Sequence, residues 1–454
     1  MERAKESEER IRQLRRPTQN LPTEILTHIF ELYVSEDEGL PNDRSEVGTA
    51  HGTRPLRLTH VCRRWRQLAH SLPSIWRHHF LSLHLNPLPF DRLRHFARLS
   101  ANKEPCLTIL ASKPVDLMEV TLDKLKLVYA GTLVFANLTC HFSVENASTM
   151  SRILSRIPPS RLLVLVHRSW AGGQSGIPPI LLPIRFFPVV KTMVLQEVDA
   201  HWEAITWSPT ALSQMALTSL SFISSTVAPP LWISYVLPNL TFLLYNAPKF
   251  TSQRVTPNKL ISLPLLKDLS TTWRDLILWF PRWFTATPIQ HLSISNFWPS
   301  PFSNAKIDDF RQTDFGDTVV HVTLLSLRGG DTEGISYFIS HLALLDTLTL
   351  KGDTTDIMLS RLSNRPKRTL RKLRHLIVSD YDGTGESILR FVEHRGKVWQ
   401  ANSRTAVASL RHVEILDSPN VAMEMHQRIQ RLVYEYSVRH IRSDISQTDR
   451  VEQD

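Results

Sequence analysis

Apolar residues recur in one short spacing from residue 190 onward: an anchor, another three residues on, and a third two residues later. "LDTLTL" (Leu345 to Leu350) and "LRHLIV" (Leu373 to Val378) show it plainly. The last two anchors stand at alternate positions, as in a strand with one buried face, and the first precedes the strand. Copies centre on Met193, Leu220, Leu240, Leu292, Leu325, Leu348, Leu376 and Val413. The third is read as Leu237, Leu240, Phe242 and the fifth as Val322, Leu325, Leu327. About 3% of windows meet such a spacing by accident, so the interval between copies is the stronger test. Copies follow at about 20 to 52 residues, and Leu266 in "LPLLKDL" divides the longest interval. A chain with this period stacks strand units in parallel and buries one continuous core. An ordinary α/β domain is the alternative.

The remainder of the chain sharpens this architecture. A length of 454 residues exceeds what one core usually organises. Upstream, helix patterns over 92–101 and 148–157 alternate with strand patterns over 106–110 and 161–166, which calls for parallel pairing. No run approaches about eighteen apolar residues, and the charged start "MERAKESEERIRQLRR" lacks the apolar stretch of a signal peptide. No membrane partner and a cytoplasmic or nuclear location are expected, with the sequons at Asn137, Asn146 and Asn239 as coincidences. Cys62, Cys106 and Cys140 lie far apart, so neither a disulfide framework nor a zinc site is expected.

The N-terminal eighty residues follow another period. In "LPTEILTHIFELY", Ile25, Leu26, Ile29, Phe30 and Tyr33 gather on one helical side, behind Pro22 as a first-turn residue. Residues 35–55 combine charge, Gly and Pro without periodicity and read as a loop. In "LTHVCRRWRQLAHSLPSIW", Leu58, Val61, Cys62, Trp65, Leu68, Ala69 and Leu72 recur at helical steps before Pro73 starts a third helix. Three helices in some sixty residues bury little and need a further surface.

Chemistry is poorly represented. The chain contains no P-loop, GxGxxG, HExxH or GxSxG spacing. "YDGTGES" at 381–387 reads as a turn after a strand ending near Ser379. The adjacent His78 and His79 diverge on a helix, and no cofactor or metal is expected. A net charge of +10 and the run "NRPKRTLRKLRH" (364–375) leave a phosphate partner open, but no aromatics interleave the basic residues.

"LPTEILTHIF", followed after an insert by "LRLTHVCRRWRQLAHSLPSIW", resembles the F-box, and in particular the F-box-like proteins of mushroom-forming fungi, which continue into irregular leucine-rich repeats. The resemblance implies a charged helix over 1–19, a three-helix F-box over 20–80 with an insert at 35–55, a curved leucine-rich-repeat-like solenoid over 81–440, and a polar tail over 441–454. It implies a non-enzymatic substrate receptor that binds the Skp adaptor, and through it a cullin-RING ubiquitin ligase. Carried over by position, Leu21 and Pro22 start the adaptor-facing helix, and Ile25, Leu26, Ile29 and Phe30 supply contact and core. Val61, Cys62, Trp65, Leu72 and Trp76 complete the helical face and fasten it to the repeats.

A repeat scaffold outside any ligase and a basic nucleic-acid-binding protein are the competing readings. Residues between the anchors of a repeat strand are displayed. On that rule Lys191, His291, Arg374, His375 and Arg411, with Ser219, Asn239 and Thr347, face an unidentified protein substrate.

Overall fold

The computed structural model describes residues 21–35, 54–84, 88–100, 103–111, 114–115, 119–167, 180–186, 188–198, 200–202, 215–223, 239–246, 263–273, 275–277, 287–295, 317–325, 332–352, 355–364, 370–401 and 410–439. The charged segment 1–19, most of the insert, and the tail 441–454 lie outside these residues. The chain forms two compact units, 1–205 and 206–454.

The first unit begins with short helices, α1 (Thr23–Ser35), α2 (Arg54–Thr59), α3 (Arg63–His70) and α4 (Pro73–Trp76). The amide of Leu26 donates to the carbonyl of Pro22 at 3.1 Å, which places Pro22 at the cap rather than inside the first turn. The single helix expected from Leu58 to Leu72 is broken. Cys62 is extended (φ −158°, ψ 172°), and its sulfur accepts from the Trp65 amide at 3.5 Å, so it caps α3 after a turn at His60 and Val61.

Strands and helices then alternate: β1 (His78–Ser82), α5 (Phe90–Leu99), β2 (Cys106–Ala111), α6 (Glu119–Val128), β3 (Phe135–Phe142), α7 (Ala147–Leu154), β4 (Ser160–His167), β5 (Ile180–Leu182), β6 (Thr192–Gln196) and β7 (Ala200–Trp202). β1, β2, β3, β4 and β6 pair in that order, all parallel, while β5 and β7 form a separate parallel pair. The strand β1, the helix α6 and the strand β3 were not anticipated from the sequence. His78 and His79 lie on β1 rather than on a helix, with only His79 buried.

The second unit carries β8 (Ser219–Ile223), β9 (Phe242–Tyr245), β10 (Asp268–Thr272), β11 (His291–Ser295), β12 (His321–Leu325), α8 (Thr332–Ser340), β13 (Thr347–Lys351), α9 (Thr355–Ser363), β14 (His375–Ser379), α10 (Glu386–Ala401), β15 (His412–Leu416), α11 (Met423–Gln430) and β16 (Glu435–Arg439). Each strand pairs in parallel with the next. The protein is thus an α/β molecule in which N-terminal helices precede parallel strands laid down in chain order.

Strand pairing sets the repeat register. One buried column runs Leu220, Leu243, Leu269, Leu292, Val322, Leu348, Leu376, Val413. Two of the sequence-derived frames are therefore displaced by three residues. Leu240, Leu243 and Tyr245 replace the triplet read at Leu237, and Val319, Val322 and Leu324 replace the one read at Val322. Leu237 and Leu327 fall outside the described residues. In the corrected frame the central anchors stand about 23 to 37 residues apart, tighter than the sequence reading. In the first unit a corresponding column runs His79, Leu107, Leu138, Leu163, Met193. The histidine thus occupies the place of a leucine.

The repeats share a turn as well. The residue directly after a strand is left-handed at Glu197 (φ 54°), Gly352 (φ 92°), Asp380 (φ 48°) and Asp417 (φ 45°), ending β6, β13, β14 and β15 alike. "YDGTGES" follows β14 as a turn. In it the Tyr381 hydroxyl donates to Asp356 at 2.5 Å, and its oxygen lies where a Cβ on Gly383 would come within 2.2 Å.

Candidate functional site

The helices of residues 23–76 close around a small core of Leu26, Phe30, Leu58, Ala69, Ile75 and Trp76, joined by Phe96 from α5. Phe30 packs at a tilt against Trp65 with ring centroids 4.9 Å apart, and Trp76 meets Phe96 at 5.1 Å. The Trp76 indole donates to the Ala69 carbonyl at 2.7 Å, so burial leaves its one polar atom satisfied. Arg64 holds the Leu21 carbonyl at 2.7 Å, Arg54 that of Tyr33 at 2.8 Å, and Ser74 donates to Glu31 at 2.8 Å. These bonds lock α1 against α2, α3 and α4 without using its outer side.

That outer side is apolar. The five residues expected on one face of α1 fall into two stripes. Leu26 and Phe30 are fully buried, while Ile25 (49% exposed), Ile29 (40%) and Leu32 (49%) stand outside at helical spacing. Leu32 was not singled out in the sequence, although its i+3 step from Ile29 carries the signal. Val61, in the turn before α3, is 58% exposed, and Pro22 is exposed beside the start of α1. Of the residues carried over by resemblance, Leu26, Phe30 and Trp76 are core, Leu21, Cys62, Trp65 and Leu72 are half-buried, and Pro22, Ile25, Ile29 and Val61 face solvent.

A second surface is the outward row of the second unit's sheet. Parallel pairing aligns the first residues of seven strands, Asp268, His291, His321, Thr347, His375, His412 and Glu435. The exposed His291 and the half-buried His375 fall in this row, and Arg374 and Arg411, both exposed, precede it. Thr347, expected to be displayed, is buried. His321 and His412 were missed: the displaced frame hid the first, and Arg411 was named in place of its neighbour. Lys191 is exposed and belongs to the first unit.

The row is internally balanced. The rings of His291 and His321 lie 4.7 Å apart and those of His375 and His412 6.0 Å. Asp268 binds His291 Nδ1, Glu435 lies 3.5 Å from His412 Nδ1, and Asp346 lies 3.9 Å from Arg374. Burial, then the neighbouring His291, pushes the His321 imidazole below its ordinary pKa, against the pull of Asp346. Among the described residues no group of three or more His, Cys, Asp or Glu is placed to hold a metal ion. Part of the basic run, 365–369, lies outside the described residues. No described helix is long and apolar enough to cross a membrane. Asn146 is fully buried, its side chain bonded to the Ala111 carbonyl and the Val115 amide, which closes that sequon to a glycan.

Comparison with curated proteins returns no match. Residues 18–82, which enclose the α1 to α4 core and its exposed apolar stripe, match the family model of the F-box-like domain, and the chain is therefore a protein with an N-terminal F-box-like domain.

Proposed function

We propose that this chain is a substrate-recruiting subunit of a Skp-cullin-F-box ubiquitin ligase. The observation that carries the reading is the outer stripe of α1. An F-box-like domain that leaves Ile25, Ile29 and Leu32 in solvent, and Val61 exposed in the turn before α3, has apolar surface that a partner would complete. F-box proteins typically dock on a Skp adaptor, which ties them to a cullin-RING ligase located inside the cell. In this reading the chain has no catalytic residue of its own; it holds the adaptor with residues 20–80 and a protein substrate with the repeats of 81–440. Lys191, His291, Arg374, His375 and Arg411 are the substrate-face candidates.

Co-expression with a Skp adaptor tests the first half. The wild type is expected to co-purify with the adaptor, and Ile25→Asp with Ile29→Asp is expected to release it while the chain keeps its thermal unfolding midpoint. Leu26→Asp is a poor probe, because a charge in that buried position unfolds the helices whatever they bind. Loss of ligase-dependent ubiquitination with the stripe variant is the cellular counterpart. A wild type that never retains the adaptor would reject the proposal and favour a scaffold outside any ligase.

A further inference from the structure

The outward row of the second unit places four imidazoles within five adjacent strand positions, His291, His321, His375 and His412. Histidine makes up 19 of 454 residues, so such a concentration is far above its background frequency. Nothing in the core requires it, since the alternate positions Leu292, Val322, Leu376 and Val413 fill the interior. The outer two rings are oriented by carboxylates at Nδ1, Asp268 on His291 and Glu435 near His412, which leaves Nε2 of each as its remaining polar atom.

The charges around the row decide what it can hold. The carboxylates Asp268, Asp346, Glu414 and Glu435 lie in or beside it, against the cations Lys267, Arg374 and Arg411 directly before the strands and Arg371 and Lys372 further back on the segment leading into β14. At the far ends of the strands, Lys351, the last residue of β13, and Asp380, directly after β14, neutralise each other at 3.0 Å. With neutral imidazoles the row's own seven residues carry the two carboxylates of Asp268 and Glu435 and no cation. It differs from a fixed basic patch, because its positive field exists only when imidazoles take up protons. Neighbouring imidazoles oppose one another's protonation, and an arriving carboxylate removes that opposition.

We propose that this row is a docking stripe for an extended acidic peptide segment, captured with uptake of protons. The inference rests on reading the second unit as the substrate-recruiting part, and it names the substrate's chemistry. Seven strands at about 4.8 Å spacing give a stripe about 29 Å long, room for roughly nine extended residues. The next outward row supplies Ser270, Ser293, Thr323 and Thr349, hydroxyls that donate to carboxylates. The seven aligned positions carry no Phe, Tyr or Trp, the half-buried Phe242 standing one strand beyond Asp268, and the intrinsic carboxylates oppose a continuous phosphate backbone.

The test uses the full chain purified with its adaptor and a fluorescent nona-glutamate peptide at constant ionic strength. Affinity should rise at least about tenfold from pH 7.5 to pH 5.5, and titration heats near neutrality should differ between buffers of different ionisation enthalpy. His375→Asn with His412→Asn should flatten the pH profile, cutting the gain in affinity between pH 7.5 and pH 5.5 to less than about threefold. His291→Asn with His321→Asn provides a second, independent pair should the first alter the circular dichroism spectrum. A pH-independent wild-type affinity, or an unchanged profile in both folded double variants, overturns the inference, as does tighter binding of a nine-nucleotide RNA. Adaptor retention is scored in the same preparation. Peptide binding without the adaptor would break the ligase reading alone, and adaptor retention without peptide binding would break this inference alone.

Discussion

On α1 the apolar side chains Ile25, Ile29 and Leu32 are left outside, while on β11 to β15 the fully buried apolar side chains alternate with an outward set of mostly histidine, serine, threonine and charge, in which Leu325, Ile377 and Leu416 are half-buried and Thr347 is buried. The difference follows from how each region closes. Each inner strand of the second unit has a parallel neighbour on both sides, so its inward side chains are covered by the same chain. Short helices bury one stripe each and have nothing further to cover the second. The helical region thus presents hydrophobic surface and the sheet presents polar surface, and different classes of partner fit the two.

The largest effect should come from violating the sheet's closed interior. Leu376→Asp puts a carboxylate into a fully buried position, at a cost above about 4 kcal/mol, and should abolish the cooperative unfolding of the second unit in calorimetry. If the protein tolerates it, the sheet is less closed than its burial implies. Next, Phe30→Ala should cost about 3 to 5 kcal/mol and Ile29→Ala less than about 1 kcal/mol, read from denaturant midpoints. Equal losses would erase the distinction between the two stripes of α1.

A third test sits where the first unit's helices meet its sheet. His79 is buried on β1, with Nδ1 3.0 Å from the Tyr129 hydroxyl and Ser100 on its other nitrogen at 3.4 Å. Burial is the main cause that takes its pKa down to about 4 from an ordinary 6.5, with the Trp76 backbone opposing. Below pH 6.5 the unfolded chain binds a proton that the folded chain refuses until about pH 4. The stability this neutral imidazole secures above pH 6.5 is therefore lost as pH falls, by up to about 3 kcal/mol. Unfolding midpoints measured from pH 7 to pH 4.5 should fall more steeply in the wild type than in His79→Leu, and parallel slopes would exclude this origin. Smallest is Gly385→Ala. With φ 90° and a new Cβ only 2.9 Å from Val421 Cγ1, it should cost about 1 to 2 kcal/mol, and no change would show that the turn before α10 relaxes freely.

Several strands were legible because they are local. β2 and β4, and the anchors at Met193, Leu220, Leu292, Leu348, Leu376 and Val413, follow from alternation within a few residues. β1 and β3 were harder. β1 carries a histidine in the leucine column, and "FANLTCHF" buries Cys140 and His141 where longer aliphatics mark a strand. The displaced frames around Leu240 and Val322 have a related origin, since each stretch holds apolar residues at two overlapping spacings, and only pairing with the neighbouring strand selects one.

Amphipathic spacing in residues 21–76 by itself established that short helices would pool an apolar face, and the repeating anchors established parallel strands in chain order. Which members of that face are core is a matter of helix packing: Leu26 and Phe30 meet Trp65 and Trp76, and Ile25 and Ile29 meet solvent. Likewise no sequence spacing joins His291, His321, His375 and His412, separated by loops and helices of unequal length. Backbone hydrogen bonding brings them into one row, because parallel strands align by register whatever the length of chain between them.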